Sequence, residues 1–209
     1  MYSTTIEISH KECFRLMREV FQSSNFDSYT IHKMVYGLYP VEDDARFMFD
    51  AEDVNDNGMV IRIYSDKKPV VTGLDNCDYR VKSIDLDQMF KEGETYRYEI
   101  NINAVKKHDS KYIMVRDDEF NDWFERKMNA NGMTVEFDHN GGKVKAISIQ
   151  RRYRRSTPTK TDHKGVPMHV AYVIGSFRIL DINKFKEALV NGIGREKAFG
   201  LGMLRVKKI

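Results

Sequence analysis

Polar and apolar residues alternate over Thr4–Ser9, the two-residue period of a strand with one buried face. From Ser28 the period changes. Ile31, Met34, Val35 and Leu38 fall three and four apart, which predicts a helix over about 28–38, with Asp27 or Ser28 as N-cap and Pro40 as its stop. Two strands are expected next, Arg46–Glu52 and Met59–Tyr64, around Asn55-Asp56-Asn57-Gly58, whose Asn-Gly pair signals a hairpin. A further β-like stretch, Tyr79–Leu86, precedes a short amphipathic piece at Leu86–Phe90.

The second half repeats this grammar. Tyr96–Val105 alternates as a strand. Asp117–Asn131 carries Phe120, Trp123, Phe124 and Met128 at helical spacing, with Gly132 as a C-terminal cap. Thr134–Phe137 and Val144–Tyr153 flank the turn residues His139-Asn140-Gly141-Gly142. Val170–Leu180 predicts a long strand. Asp181 caps a helix with the apolar stripe Ile182, Phe185, Ala188 and Leu189, Gly192 follows its end, and Met203–Val206 is a last strand. Strand, helix, two or three strands, helix, strand is the split βαβ, or ferredoxin-like, order. The expected fold is therefore α+β: tandem ferredoxin-like (RRM-like) modules, an N-terminal domain over 1–93 and a C-terminal domain over 94–209. The first copy has no evident second helix, and no sequence repeat accompanies the repeated pattern.

Composition narrows the class. The 209 residues are 41 % hydrophobic and 31 % charged, with 4 prolines and 13 glycines, which excludes a disordered or fibrous chain. No run of 18 apolar residues is present, so no transmembrane helix is expected. The first 25 residues mix acids and bases, so no secretory signal is expected either. Cys13 and Cys77 make neither a disulfide framework nor a zinc site, and the expected compartment is a reducing cytoplasm.

The net charge of +3 conceals an asymmetry. Residues 1–95 hold 11 bases and 18 acids, net −7, whereas residues 96–209 hold 23 bases and 13 acids, net +10. A basic half suits a polyanionic partner. The bases also cluster. Residues 143–164 carry Lys143, Lys145, Arg151, Arg152, Arg154, Arg155, Lys160 and Lys164 against one acid, Asp162. Alternate side chains of a strand face opposite sides. Consecutive arginines therefore charge both faces, which fits a hairpin that projects from its sheet toward nucleic-acid phosphates. An edge strand merely protected by charge is the plainer reading. The acids of 42–56 (Glu42, Asp43, Asp44, Asp50, Glu52, Asp53 and Asp56) span a loop and hairpin without a histidine and read as a solvated face rather than a metal site.

Between the last helix and the last strand the chain reads Gly192-Ile193-Gly194-Arg195-Glu196-Lys197-Ala198-Phe199-Gly200-Leu201-Gly202. The order helix–loop–strand is the reverse of a Rossmann fingerprint, and no Gly-Lys-Ser/Thr of a P-loop occurs. Glycines allow the backbone to approach a phosphate closely, and Arg195 and Lys197 add charge; a tight connection is the alternative. Among the six histidines, His32 stands three residues after Tyr29, so the two share one face of the predicted helix. A lone helical histidine is usually a packed or surface residue. A phenol and an imidazole on one face can instead reach a single phosphodiester.

These residues carry a resemblance. The glycine-rich tail resembles the loop of the CRISPR-associated endoribonucleases that cut repeat RNA. Asp27-Ser28-Tyr29-Thr30-Ile31-His32 followed by Gly37-Leu38-Tyr39-Pro40 is similar to the subfamily of the type I-E Cascade complex, called CasE or Cse3. The resemblance touches both ends of the chain and implies two ferredoxin-like modules. It also implies a metal-independent endoribonuclease without cofactors, with Tyr29 and His32 catalytic. RNA's own 2′-hydroxyl would attack the adjacent phosphorus, giving a 2′,3′-cyclic phosphate and a 5′-hydroxyl. Histidine titrates near neutrality and can act as acid or base. Which of Tyr29 and His32 takes the 2′ proton is left open. Arg151, Arg152, Arg154, Arg155, Lys160 and Lys164, with Gly192, Gly194, Arg195, Lys197, Gly200 and Gly202, are the expected RNA-binding residues. Lys197 or a base of the 151–164 segment would stabilise the phosphorane. The implied partners are a CRISPR repeat stem–loop and other Cascade subunits, with target DNA met only through the complex and no membrane. The alternative function is a tandem ferredoxin-like module that holds guide RNA without cutting it.

Overall fold

A computed structural model describes residues 1–19, 28–39, 44–54, 58–70, 79–157 and 165–209. The chain divides into two compact units, Met1–Met89 with Ala198–Gly200, and Phe90–Lys197 with Leu201–Ile209.

The first unit runs β1 (Tyr2–Ser9), α1 (His10–Glu19), α2 (Ser28–Tyr36), β2 (Phe47–Val54), β3 (Gly58–Ser65) and β4 (Tyr79–Asp85). Its sheet has the order β2-β3-β1-β4, every neighbour antiparallel. The alternation read from the sequence sets the register: Ile6 faces Ile61 on one side and Val81 on the other. Ile6, Ile8, Ile61 and Ile63 are buried on one face, where they form one core with Ile31, Met34, Val35 and Leu38.

The helix α1 has no counterpart in the sequence expectations. In the sequence its apolar residues Cys13, Leu16 and Met17 fall three and four apart, and Cys13 is buried while Phe14 is exposed. What starts it is local. The Ser9 hydroxyl accepts from the Glu12 N–H at 3.3 Å, the Ser-x-x-Glu spacing of a capping box, and Arg15 pairs with Glu12 at 2.8 Å. The Asn55–Asn57 turn lies outside the described residues, although the pair Val54–Gly58 closes the β2–β3 ladder as a hairpin requires. Between β3 and β4, residues 66–70 are non-helical and 71–78, with Cys77, lie outside the described residues. The expected piece at Leu86–Phe90 is a turn, with the Met89 N–H donating to the Leu86 carbonyl at 3.0 Å.

The second unit runs β5 (Thr95–Asn103), β6 (Val105–His108), β7 (Lys111–Met114), α3 (Asp117–Ala130), β8 (Met133–Thr134), β9 (Glu136–His139), β10 (Gly142–Lys145), β11 (Ile147–Thr157), β12 (Val166–Ile179), α4 (Ile182–Asn191) and β13 (Arg205–Lys208). Its main sheet has the order β11-β12-β5-β13, with β8 added beside β12. Both sheets thus place their principal strands second, third, first, fourth, the ferredoxin-like order. Tyr96, Tyr98, Phe120, Phe124, Phe177 and Phe185 are buried. Their rings pack in series: Tyr98 on Phe124 at 5.7 Å, Tyr96 on Phe177 at 5.9 Å and Phe177 on Phe185 at 5.5 Å. Asp181 caps α4, its carboxylate accepting from the Asn183 and Lys184 N–H groups at 3.1 Å.

Four expectations change here. The strand Thr134–Phe137 is divided at Val135 between β8, which pairs with β12, and β9, which pairs with β10. The strand Tyr96–Val105 ends at Asn103, and a separate β6–β7 hairpin precedes α3. The strand Val144–Tyr153 is two strands. Ala146 breaks it, its carbonyl accepting from the Ser176 N–H and the Tyr98 hydroxyl, so that β10 pairs with β9 and β11 with β12. The last strand begins at Arg205, because Met203 and Leu204 are spent in the core. No helix among the described residues is long and apolar enough to cross a membrane.

Candidate active site and nucleic-acid interface

In the first unit α2 carries both expected catalytic positions. Tyr29 is its second residue; the Tyr29 side chain lies outside the described residues. The buried stripe of Ile31, Met34, Val35 and Leu38 turns His32 toward the flank of the helix, where it is half-buried. Its ring meets an aromatic wall: Tyr36 edge-on at 4.6 Å, Phe49 at 5.8 Å and Phe47 at 6.5 Å. Tyr39 stacks on Phe47 at 5.0 Å, and burial pushes its phenol up to about 12. Nδ1 of His32 is buried without a hydrogen-bond partner. The apolar wall disfavours the imidazolium, and burial lowers the His32 pKa below its ordinary 6.5. The group is a neutral imidazole at neutral pH, a form that accepts a proton.

The arginine segment lies on β11 and straddles two environments. β5 pairs with β12 as far as Asn103–Val170, so Arg151 and Arg152 sit on a part of the hairpin backed by the sheet. From Arg154–His169 to Thr157–Val166 the two strands continue as a ribbon without a third strand among the described residues. A bulge between Ile149 and Arg151 precedes the run. Arg152 is engaged within the unit: it pairs with Asp117, donates to the Val115 carbonyl and lies 5.4 Å over Phe120. Arg151 lies over Tyr153 at 4.5 Å and is exposed, as is Arg154. Burial and the charges of Arg154 and Arg152 lower the pKa of His169. The ribbon therefore projects from Arg154 onward rather than over the whole run. Lys160 and Lys164 lie outside the described residues.

The glycine-rich segment is a loop closed at its base. The Ile193 N–H donates to the Gly202 carbonyl at 2.8 Å, and the Gly202 N–H donates to the Asn101 carbonyl of β5 at 2.7 Å. Gly192, Gly194, Gly200 and Gly202 all have positive φ, from 68° to 93°. The requirement is most severe at Gly202, where a Cβ would stand 2.3 Å from the Ile193 carbonyl oxygen. Gly200 belongs to the first unit, where a Cβ on it would lie 3.9 Å from the Phe49 ring that borders His32. Lys197 opens a short 3-10 turn over Lys197–Phe199, and burial lowers its pKa. Arg195 lies over Tyr112 at 4.0 Å and donates to its hydroxyl at 3.0 Å.

Sequence reasoning missed the wall of Tyr36, Phe47 and Phe49 around His32. Phe47 and Phe49 read as strand residues, and nothing in a one-dimensional pattern says which helix residue they face. In the acidic segment, Glu52 pairs with Arg62 at 3.0 Å; Glu42, Asp43 and Asp56 lie outside the described residues. Among the described residues no cluster of three His, Cys, Asp or Glu is placed to hold a metal.

Comparison with known proteins supplies a further set of findings. A family model described as CRISPR associated protein matches residues 1–208. A structure of the CRISPR endoribonuclease Cse3 bound to a 19-nucleotide RNA superposes with a TM-score of 0.79 at 18 % identity, over 99 % of this chain and 100 % of that one. Thermus thermophilus Cse3, bound to an RNA representing a pre-cleavage complex, gives 0.76 at 17 % identity, over 99 % and 98 %. Cas6e from Escherichia coli K-12 gives 0.62 at 19 % identity, over the whole of both chains. No curated protein sequence matches. At these identities the likeness is one of fold.

Proposed function

We propose that this chain, which belongs to the CRISPR-associated protein family over residues 1–208, is a metal-independent endoribonuclease. It cleaves CRISPR repeat stem–loops in precursor RNA to give mature guide RNA. The observation that carries the reading is His32: a neutral, half-buried imidazole on α2, one helical turn after Tyr29.

The chemistry follows from what RNA supplies. Nε2 of His32 takes the proton of the 2′-hydroxyl. The 2′ oxygen bonds to the adjacent phosphorus, the bond from phosphorus to the 5′ oxygen breaks, and that oxygen takes up a proton. A 2′,3′-cyclic phosphate and a 5′-hydroxyl result, with no water in the step. Residues three apart on a helix are neighbours, so Tyr29 orients the phosphate or relays a proton with His32. General acid–base help of this kind contributes roughly 10²–10⁴ in rate. Arg151, Arg154 and Arg155 hold the stem by its phosphates, and Lys197 with the glycine loop adds a second basic contact. The full-length likeness in fold to Cse3 and Cas6e, the former described with bound RNA, supports the assignment. So does a likeness to a subunit of a CRISPR RNA-guided surveillance complex, at a TM-score of 0.58 and 15 % identity. The product is retained, and the protein serves in the cytoplasm as a subunit of a Cascade complex that meets target DNA through its guide.

The test is incubation of the purified protein with its host's repeat RNA in EDTA, beside His32→Ala and a substrate with a 2′-deoxy scissile nucleotide. Cleavage by the wild type alone, blocked by either change and leaving a cyclic phosphate, is the expected result. Tight binding without cleavage leaves a holding module, and cleavage that requires Mg²⁺ overturns the mechanism.

A further inference from the structure

A second basic feature of the C-terminal unit belongs neither to the arginine ribbon nor to the catalytic helix. Between α3, the start of the β6–β7 hairpin and the glycine loop lies a cavity of about 620 Å³. Six cations line it: Lys106, Lys107, Arg126, Lys127, Arg195 and Lys197, and no acid is among its lining residues. Lys106 is neutralised by Glu119 at 2.6 Å. Arg195 reaches Glu196 only at 3.8 Å. Lys107, Lys127 and Lys197 have no ion-pair partner among the described residues, and Lys197 is partly buried. Lys107 is exposed, while Lys127 and Lys197 are partly buried, and partly buried cations without counter-ions cost stability unless an anion joins them.

The cavity also offers aromatic surface. Trp123 forms part of its wall with Lys127 at 6.0 Å from the ring, and the Arg195 guanidinium lies over the Tyr112 ring, both among the lining residues. Unpaired RNA bases stack on aromatic rings and on arginine planes, while lysines follow the phosphates. A duplex stem has no free base to offer such a pair.

The position agrees. Asn103 lies on the cavity wall and is the last β5 residue paired with β12; its side chain accepts from the His169 N–H at 3.0 Å. His169 pairs with Arg154, where the ribbon leaves the sheet. Ribbon and cavity thus open at the same end of one sheet.

We propose that this cavity binds an unpaired nucleotide of the RNA segment flanking the stem. Lys107, Lys127 and Lys197 take its phosphates, and the Tyr112–Arg195 pair meets its base. The proposal rests on the reading of the protein as an RNA-binding CRISPR processing factor, and it divides the labour: the ribbon grips the stem, the cavity the single strand.

The experiment measures Kd for the full chain with two RNAs, the host repeat stem–loop alone and the same stem–loop with a single-stranded tail of about six nucleotides, within the usual range of single-strand sites. Tails are placed on either side of the stem. The wild type is expected to prefer one tailed RNA by on the order of tenfold, as one stacked base contributes. Lys107→Ala/Lys127→Ala brings that ratio close to one and lowers the salt slope by about 0.7 per lost phosphate. Tyr112→Ala reduces the preference for a normal tail but not for an abasic one. Lys91→Ala/Lys208→Ala removes equal charge outside the cavity and keeps the wild-type ratio; thermal melts verify that each variant folds. The proposal is overturned by a wild type that shows no preference, by a ratio unchanged in the cavity variant, or by an equal loss in the control. Binding of AMP at the cavity without a tail preference also overturns it, in favour of a free nucleotide. Cleavage is scored separately, so an inactive protein that still prefers the tail refutes the nuclease and keeps the cavity, and the converse holds.

Discussion

Both units lay their strands in the same order, second, third, first, fourth, yet the two halves of the chain carry opposite net charge. Residues 1–95 are net −7 and residues 96–209 net +10. The strand order follows from apolar alternation and from crossovers that return each strand to its neighbour's side. The charge and the chemistry sit elsewhere. In the first unit the distinctive group is a histidine desolvated by Tyr36, Phe47 and Phe49. In the second it is an arginine ribbon and a loop held by glycines. Under the proposed function, a scaffold used twice separates bond cleavage from RNA holding, because the parts that differ lie outside the common core.

The sharpest way to break that separation is to exchange its effects. His32→Ala should lower the single-turnover cleavage rate by roughly 10²–10⁴ with little change in Kd for repeat RNA, read by rapid quench and by filter binding. If Kd rises as much as the rate falls, the first unit is a binding surface. Arg151→Ala/Arg154→Ala should do the reverse and weaken binding by on the order of tenfold or more at physiological salt. The slope of log Kd against log salt should shrink by about 0.9 for each duplex phosphate lost. Arg152→Ala belongs to a third class. Its partners are Asp117 and the Val115 carbonyl, so its loss should lower Tm as well as affinity.

Smaller effects test the loop and the helix behind it. Gly202→Ala places a Cβ 2.3 Å from the Ile193 carbonyl at a φ of +93°, and should cost about 2 kcal/mol, or roughly 4–8 °C in Tm. Asp181→Ala removes the cap of α4 and should cost about 1 kcal/mol, seen in the same melt as roughly 2–4 °C.

The pH dependence sharpens the comparison further. Burial lowers the His32 pKa below 6.5, and in the proposed mechanism the neutral form is the one that accepts the 2′ proton. The cleavage rate should therefore rise with pH along an acid limb centred below 6.5 and level off by neutrality. The unfolded chain protonates this histidine near 6.5 while the folded one resists. The contribution of the neutral, buried imidazole to stability is thus present above 6.5 and is lost as pH falls from there through the folded pKa. An acid limb centred above 7 would contradict a desolvated His32, and an unchanged limb in His32→Gln would assign it to another group.

Much of the molecule is legible one residue at a time. The alternation at Thr4–Ser9, the stripe Ile31-Met34-Val35-Leu38 and the cap at Asp181 each act within a few residues of chain. Their elements stand within a residue or two of where the pattern puts them. The charge division and the Tyr29–His32 spacing are equally one-dimensional. The rest required contacts between distant residues. Ala146 ends a strand because Tyr98, 48 residues away, and Ser176 claim its carbonyl. Arg152 is drawn to Asp117 across 35 residues, whereas Arg151 and Arg154, beside it in sequence, remain exposed. The cavity cations come from α3, β6 and the glycine loop, separate in the chain and joined by packing. Local propensity and hydrophobic period are properties of neighbouring residues. Desolvation, ion pairing and cavities depend on which remote groups the fold brings near.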